Sequence, residues 1–81
     1  MARILRLPDV INKIGKTRSP IYADIATGLF PRPVKLGPRA AGWPESEIEE
    51  VISARIAGAN EASIRKLVTK LHEARRLAQA A

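Results

Sequence analysis

Five consecutive or neighbouring side chains near the middle of the N-terminal half could bind an anion. They combine cations with hydroxyl groups at the start of a short apolar segment, and they are Lys16, Thr17, Arg18, Ser19 and Tyr22. At the start of a helix, such side chains and the free backbone N–H groups can hold phosphate oxygens. Arg18 is the best candidate for a base contact, because a bidentate arginine–guanine pair is the commonest specific one. The alternative is that Arg18 is a solvated turn residue. We call these five residues the turn cluster.

A second group of cations, Arg32, Lys35 and Arg39, lies in a segment rich in proline and glycine. Arg32 stands between two prolines, which keep its backbone extended and suit it to a phosphate contact. Lys35 and Arg39 belong to a predicted hairpin, whose basic tip could place Arg39 in a minor groove. The alternative is a charged turn that keeps an edge strand soluble. We call these three residues the wing cluster.

The charge of the chain is distributed unevenly. The net charge is +6, and residues 1–40 hold eight Lys or Arg and two Asp. Residues 41–60 carry a net charge of −3, and residues 61–81 carry +3. A basic half beside an acidic segment predicts a polyanionic partner, here double-stranded DNA. The alternative is a chain that is basic only for solubility.

Other kinds of site find little support in the sequence. The acidic cluster Glu45, Glu47, Glu49 and Glu50 is interpreted as a solvated helix start, and the single histidine, His72, as a surface residue. There is no Gly-rich phosphate loop and no nucleophile beside a base. We therefore expect no catalytic residue, no metal site, no cofactor and no small-molecule substrate, so the chain is not expected to be an enzyme.

The length and composition predict one small domain in a reducing compartment. The 81 residues include no cysteine, and the longest apolar run is only a few residues. The segment Met1–Arg6 is too short and too charged for a secretory signal. These features predict a cytoplasmic, nucleoid-associated protein with no membrane partner.

The elements that must position the turn cluster are two short helices. The first is predicted over about residues 8–15, from Pro8 to Gly15. In the second, Ser19 is the predicted N-cap and Pro20 the first helical residue, and Gly28 ends the helix. Two short helices joined by a tight turn that contains glycine indicate a helix-turn-helix.

The wing cluster lies on a predicted two-stranded hairpin that precedes a third helix. The segment Val34-Lys35-Leu36 alternates apolar and basic side chains, as a strand does. Gly37-Pro38-Arg39 is the predicted turn, and Ala40 to Trp43 is the predicted returning strand. Trp43 is expected to be a core anchor, with ligand stacking as the alternative. The predicted fold is mostly α with a small β-hairpin wing. It is a winged helix-turn-helix over residues 1–58, followed by an accessory helix over residues 59–81.

The accessory helix carries an apolar stripe that must pack on something. Ile64 and Leu71 repeat at seven-residue spacing, and Leu67 lies on the same stripe. The helix could cover its own domain or mediate oligomerisation through Ile64, Leu67 and Leu71. We predict the second, with the helix docking on acidic helix three of a neighbouring copy and linking copies head to tail along DNA.

Part of the chain resembles a known family. The resemblance covers roughly residues 3–57, and the positions that carry it are Arg6-Leu7-Pro8-Asp9-Val10, Arg18-Ser19, Ile21-Tyr22, Gly28, Phe30-Pro31-Arg32-Pro33-Val34-Lys35-Leu36-Gly37, Gly42-Trp43 and Glu45-Ser46-Glu47-Ile48. They resemble the AlpA-type phage regulatory proteins, which are similar to the excisionases and to the DNA-binding domains of the MerR superfamily.

This resemblance implies a DNA-binding protein of a prophage or integrative element. Such proteins act as transcriptional regulators or as recombination directionality factors that help an integrase, and copies on neighbouring DNA sites are further expected partners. The sequence departs from the family where Ala23 and Asp24 follow Tyr22 and where Pro20 replaces a hydroxyl residue. The second helix therefore brings few donors to DNA, which favours recognition through phosphates and DNA shape. The alternative function is a protein-interaction module that sequesters a regulator.

Overall fold

The structure is a computed structural model that describes the backbone of residues 3–80 and the side chains of residues 3–78. Four helices and three short strands follow one another along the chain. They are β1 (Ile4–Leu5), α1 (Leu7–Ile14), α2 (Arg18–Thr27), β2 (Val34–Gly37), β3 (Ala40–Pro44), α3 (Glu45–Ile56) and α4 (Glu61–Ala80). This confirms a mostly helical fold with a small hairpin wing and a C-terminal helix.

The helix-turn-helix forms because two glycines end its helices. Gly15 and Gly28 adopt φ values of 77° and 80°, which only glycine reaches without strain. The predicted start of α2 is wrong by two residues, because Thr17 is the N-cap and Ser19 lies inside the helix. Pro20 is accommodated there because the N–H groups of a first helical turn have no acceptor within the helix.

The three strands form one antiparallel sheet in the order β1-β3-β2. Leu5 pairs with Trp43 on one side of β3, and Val34 pairs with Gly42 on the other. Gly42 is required by this close pairing, because a Cβ atom there would lie 2.6 Å from Ile4 Cγ2 and 2.7 Å from the Leu5 carbonyl oxygen. The wing, residues 34–44, is therefore held at its base by the N-terminal strand.

Trp43 anchors the main core, as predicted. Its side chain is 1 % exposed, and its Nε1–H donates to the Pro31 carbonyl oxygen at 2.8 Å. The Phe30 ring meets the indole edge-on, with the ring centroids 6.2 Å apart. Ile21 of α2 belongs to the same buried cluster, so α2 and the wing share one core.

The accessory helix packs on the domain of its own chain. Leu71 is buried in the main core, while Ile64 and Val68 form a second cluster with Leu29. Leu67 is partly buried against the main core. This corrects the prediction that these side chains dock on a neighbouring copy, because their apolar atoms are already removed from water within the chain.

An ion pair also joins α3 to α4. Glu47 is only 7 % exposed, and Arg75 Nε donates to its Oε2 at 2.8 Å while Arg75 Nη2 donates to its Oε1. Glu45 accepts from Arg3 at 3.4 Å and from Lys13 at 3.3 Å. The interpretation of the acidic cluster as a solvated helix start is therefore wrong for these two residues. A buried carboxylate requires a cation, and α4 supplies it to Glu47.

Candidate nucleic-acid interface

Four residues of the turn cluster lie at the exposed N-terminal end of α2. Thr17 is the N-cap, Arg18 and Ser19 open the helix, and Tyr22 follows one turn later with 48 % of its side chain exposed. The N-cap residue Thr17 makes no side-chain hydrogen bond to the helix end. The end of α2 therefore presents N–H groups, hydroxyl groups and the Arg18 guanidinium to the same region of solvent.

The fifth residue, Lys16, is held by an acid of the same helix-turn-helix. Its Nζ atom donates to Asp24 Oδ2 at 2.6 Å, and Arg55 Nη2 lies 4.0 Å from the same oxygen. The Asp24 side chain is only 16 % exposed. Asp24 of α2 therefore pairs with a residue of the turn that precedes its own helix. Much of the charge of Lys16 is balanced within the chain, which weakens its predicted role.

The remaining predicted cations have no acidic partner among the side chains that the structure describes. Lys35 and Arg39 are exposed on the wing, and the Arg32 residue at its base is also exposed. Within residues 3–78, no carboxylate oxygen lies within 4.0 Å of the charged groups of Arg18 or of these three wing residues. Their positive charge is therefore available to a partner.

His72 holds the base of the wing, a role that the sequence did not reveal. The Arg32 backbone N–H donates to His72 Nε2 at 3.1 Å, so the imidazole must be unprotonated at that nitrogen. Burial lowers the pKa of His72, the charges of Arg32 and Arg75 lower it further, and Glu47 opposes them. The two residues are 40 apart in the sequence, so no local pattern could have indicated the contact.

The lowered pKa of His72 predicts a pH dependence of stability. Since the folded chain has the lower pKa, the unfolded chain binds more protons, and stability should fall as the pH drops through the ordinary value of 6.5. We expect the urea midpoint of the natural chain, relative to that of His72→Gln, to decrease between neutral and mildly acidic pH. Glutamine keeps an acceptor but does not titrate. Parallel pH curves for the two chains would contradict this assignment.

Helix α4 connects the two predicted DNA-binding elements. Arg65 Nε donates to the Thr27 carbonyl oxygen at the C-terminal end of α2, at 3.0 Å. Seven residues later, His72 accepts from Arg32 at the base of the wing. Among the described side chains, no hydrogen bond or ion pair joins the turn cluster directly to the wing cluster. Their relative position is therefore maintained by the shared core and by α4.

Comparison with known proteins places this architecture in a family. Residues 3–56 match the family described as Prophage CP4-57 regulatory protein (AlpA). The chain belongs to the AlpA family. The family match ends at Ile56, which is the last residue of α3, so α4 of this AlpA-family chain lies outside it.

Two relatives are similar over most of the same region. An uncharacterized protein, ORF88, of Enterobacteria phage P4 is 43% identical over 56 residues, which are 69% of this chain and 64% of the phage protein. The DNA-binding transcriptional activator AlpA of Escherichia coli (strain K12) is 42% identical over 59 residues, covering 65% of this chain and 84% of that protein. The chain thus spans slightly less than two thirds of the phage P4 protein. No solved structure matches this AlpA-family chain.

In the part of the chain that the structure describes, no helix combines the length and apolar composition needed to cross a membrane. The same part contains no group of three or more His, Asp or Glu side chains placed to hold a metal ion.

Proposed function

We propose that this AlpA-family chain binds duplex DNA and regulates transcription. The observation that carries the proposal is the set of exposed cations on the helix-turn-helix and the wing that have no acidic partner within residues 3–78. In proteins of this architecture, the second helix enters the major groove and the wing contacts the flanking backbone or minor groove. The name of the Escherichia coli relative, a DNA-binding transcriptional activator, supports the same function.

The residues have different roles in this proposal. Arg18 reads a base edge, because it is exposed at the start of α2 and no carboxylate among residues 3–78 competes for its guanidinium. Thr17, Ser19 and Tyr22 position the end of the helix on phosphates. Lys35 and Arg39 bind the backbone or minor groove from the wing. Lys16 contributes less than its charge suggests, because Asp24 holds its ammonium group.

A role in excision of a mobile element extends this proposal. The description of the family names a prophage regulatory protein, and one relative comes from a phage. A module of this size makes few DNA contacts, so several copies bound side by side, or an integrase bound next to them, would supply the affinity. Footprinting across an attachment site and across the chain's own promoter distinguishes excision from transcriptional control.

The salt dependence of DNA binding tests the proposed interface. If Arg18, Arg32, Lys35 and Arg39 each neutralise one phosphate or its equivalent, these four cations should together contribute about −3.6 to the slope of log affinity against log salt. Lys35→Ala should make the slope shallower by about 0.9 and weaken binding to all sequences alike. Lys13→Gln is the matched control, because that lysine already pairs with Glu45.

Arg18→Ala should separate base reading from phosphate binding. We expect a cost of about 1–3 kcal/mol on the true site and a smaller cost on random DNA. Equal weakening on both would make Arg18 a phosphate contact. If the natural chain does not shift duplex DNA even at low salt, the DNA-binding proposal is wrong and a module that sequesters a regulator becomes the better explanation.

A further inference from the structure

A cleft of about 440 Å³ lies where α4 passes the base of the wing. This volume falls in the range of small-ligand sites, which is about 300–1,000 Å³. One residue of the segment before β2 and four residues of α4 line the cleft, and they are Arg32, His72, Glu73, Arg75 and Arg76. The proposed DNA interface uses only Arg32. We call this site the arginine cleft.

The residues of the arginine cleft converge from two distant parts of the chain. His72, Arg75 and Arg76 are three and four residues apart, so they lie on one face of α4. Arg32 is attached to that face, because its backbone N–H donates to His72 Nε2 at 3.1 Å. A neutral imidazole that accepts at Nε2 carries its proton on Nδ1, where it is a further donor. Hydrogen-bond donors of both segments therefore meet in one cleft.

The arginines keep N–H groups that no described carboxylate uses. A guanidinium has five N–H donors. Arg75 uses Nε and Nη2 for Glu47, and Arg76 uses Nη2 for Glu73. Within residues 3–78, no carboxylate oxygen lies within 4.0 Å of the charged group of Arg32. Each of the three arginines can therefore donate to a ligand without losing its present partner.

The charge of the arginine cleft favours an anion. With His72 neutral, three arginines stand against the two carboxylates that pair with them, so the sum is +1. The planar fork of an arginine matches the oxygens of a phosphate group, and several such donors bind it together. A ligand that only accepts hydrogen bonds and carries two or more oxygens fits this set of donors.

We propose that the arginine cleft is a binding site for a phosphate-type oxyanion, held between Arg32 at the base of the wing and the arginines of α4. The anion would join the wing base to α4 beside the Arg32–His72 hydrogen bond. Its source is either a free phosphate in solution or a phosphate of the DNA backbone. The inference goes beyond the proposed function, because binding of a free anion does not require DNA.

The test uses the single histidine of the chain as a reporter. In NMR spectra of the natural full-length chain, the imidazole C–H proton signals of His72 should shift saturably as sodium sulfate is added, with chloride keeping the ionic strength constant. At about pH 8 the imidazole is neutral, so the shift reports anion binding and not protonation. Inorganic phosphate should shift the same signals.

Three variants separate the arginine cleft from general screening of charge. Arg32→Gln should weaken sulfate binding about tenfold, because a charged donor is lost. Arg39→Gln is the matched control, since it makes the same charge change at the tip of the wing, outside the cleft. Glu73→Gln should tighten binding several-fold, because it removes the carboxylate that lines the cleft and releases an N–H of Arg76. All three side chains are exposed, so each variant should fold.

A short duplex then distinguishes the two sources of phosphate. If the duplex shifts the same signals and competes with sulfate, the anion is a backbone phosphate. If the chain binds the duplex and sulfate together, the anion is a free phosphate.

Two results would overturn the inference. One is the absence of a saturable shift with sulfate, phosphate and duplex alike. The other is equal weakening of sulfate binding by Arg32→Gln and Arg39→Gln. In either case a gel shift of duplex DNA by the natural chain would leave the proposed function standing. Conversely, saturable sulfate binding without any gel shift would support the cleft and contradict the proposed function.

Discussion

A chain that ends at Ala59 is expected to be unfolded at room temperature. The truncation removes Leu71 from the main core and removes Ile64 and Val68 from the cluster around Leu29. Loss of one large buried side chain costs about 2–5 kcal/mol, and native domains are stable by only about 5–15 kcal/mol. The combined cost of losing three such side chains is therefore larger than the free energy of unfolding of a domain of this size.

The truncation also leaves a buried charge without its partner. Glu47 is 7 % exposed and takes both of its side-chain hydrogen bonds from Arg75. Breaking one side of a buried ion pair costs about 3–5 kcal/mol.

Circular dichroism and urea unfolding measure the result directly. The truncated chain should show no cooperative transition, and adding residues 60–81 as a separate peptide should restore one. Leu77→Ala in the full chain is the control, because Leu77 is 64 % exposed and its loss should leave stability nearly unchanged. A cooperative transition in the truncated chain alone would show that residues 3–56, the part matched by the family, form an independent domain.

Trp43→Ala is expected to be the most destabilising single substitution, at about 3–5 kcal/mol. The indole is almost fully buried, touches Phe30 edge-on and donates to the Pro31 carbonyl oxygen. It also lies on β3, the strand that holds the other two strands. Its removal should therefore loosen the wing together with the core.

Trp43→Phe separates the two contributions of the indole. It keeps most of the buried apolar area but leaves the Pro31 carbonyl without its donor, which should cost about 1–3 kcal/mol. Leu36→Ala on β2 is the control, because that side chain is 46 % exposed. The urea midpoints of Trp43→Ala, Trp43→Phe and Leu36→Ala, each compared with that of the natural chain, measure the three changes in stability. A Trp43→Ala chain as stable as the natural one would contradict the assignment of Trp43 to the core.

The parts of the structure that follow local rules were predictable from the sequence. The glycines at 15 and 28 indicated where the two helices end, and the alternation before Trp43 indicated the wing. The N-cap of α2 was misplaced because Thr17 and Ser19 are both good cap residues and the sequence does not choose between them.

The contacts that the sequence did not reveal all join residues from different elements. Asp24 pairs with Lys16, Glu47 with Arg75, and Arg32 with His72, over separations of 8, 28 and 40 residues. Such pairings depend on how the elements pack and leave no local periodicity. For the same reason, an apolar stripe on α4 looks alike whether it covers its own domain or a neighbour, and only the folded chain shows that Leu71 is buried internally.

The burial of Leu71 in the main core has a consequence for synthesis on the ribosome. All elements of the helix-turn-helix and the wing precede α4 in the chain, so the ribosome makes them before α4 appears. The pairing of β1 with Trp43 can therefore form before α4 is present. At about 5–20 residues per second, the ribosome needs roughly 1–6 s to add the residues between Trp43 and Leu71. During that interval the nascent chain has its hairpin but lacks the side chains that close the core. We therefore expect proteases and chaperones to bind nascent chains of intermediate length, and to release them once α4 has left the exit tunnel.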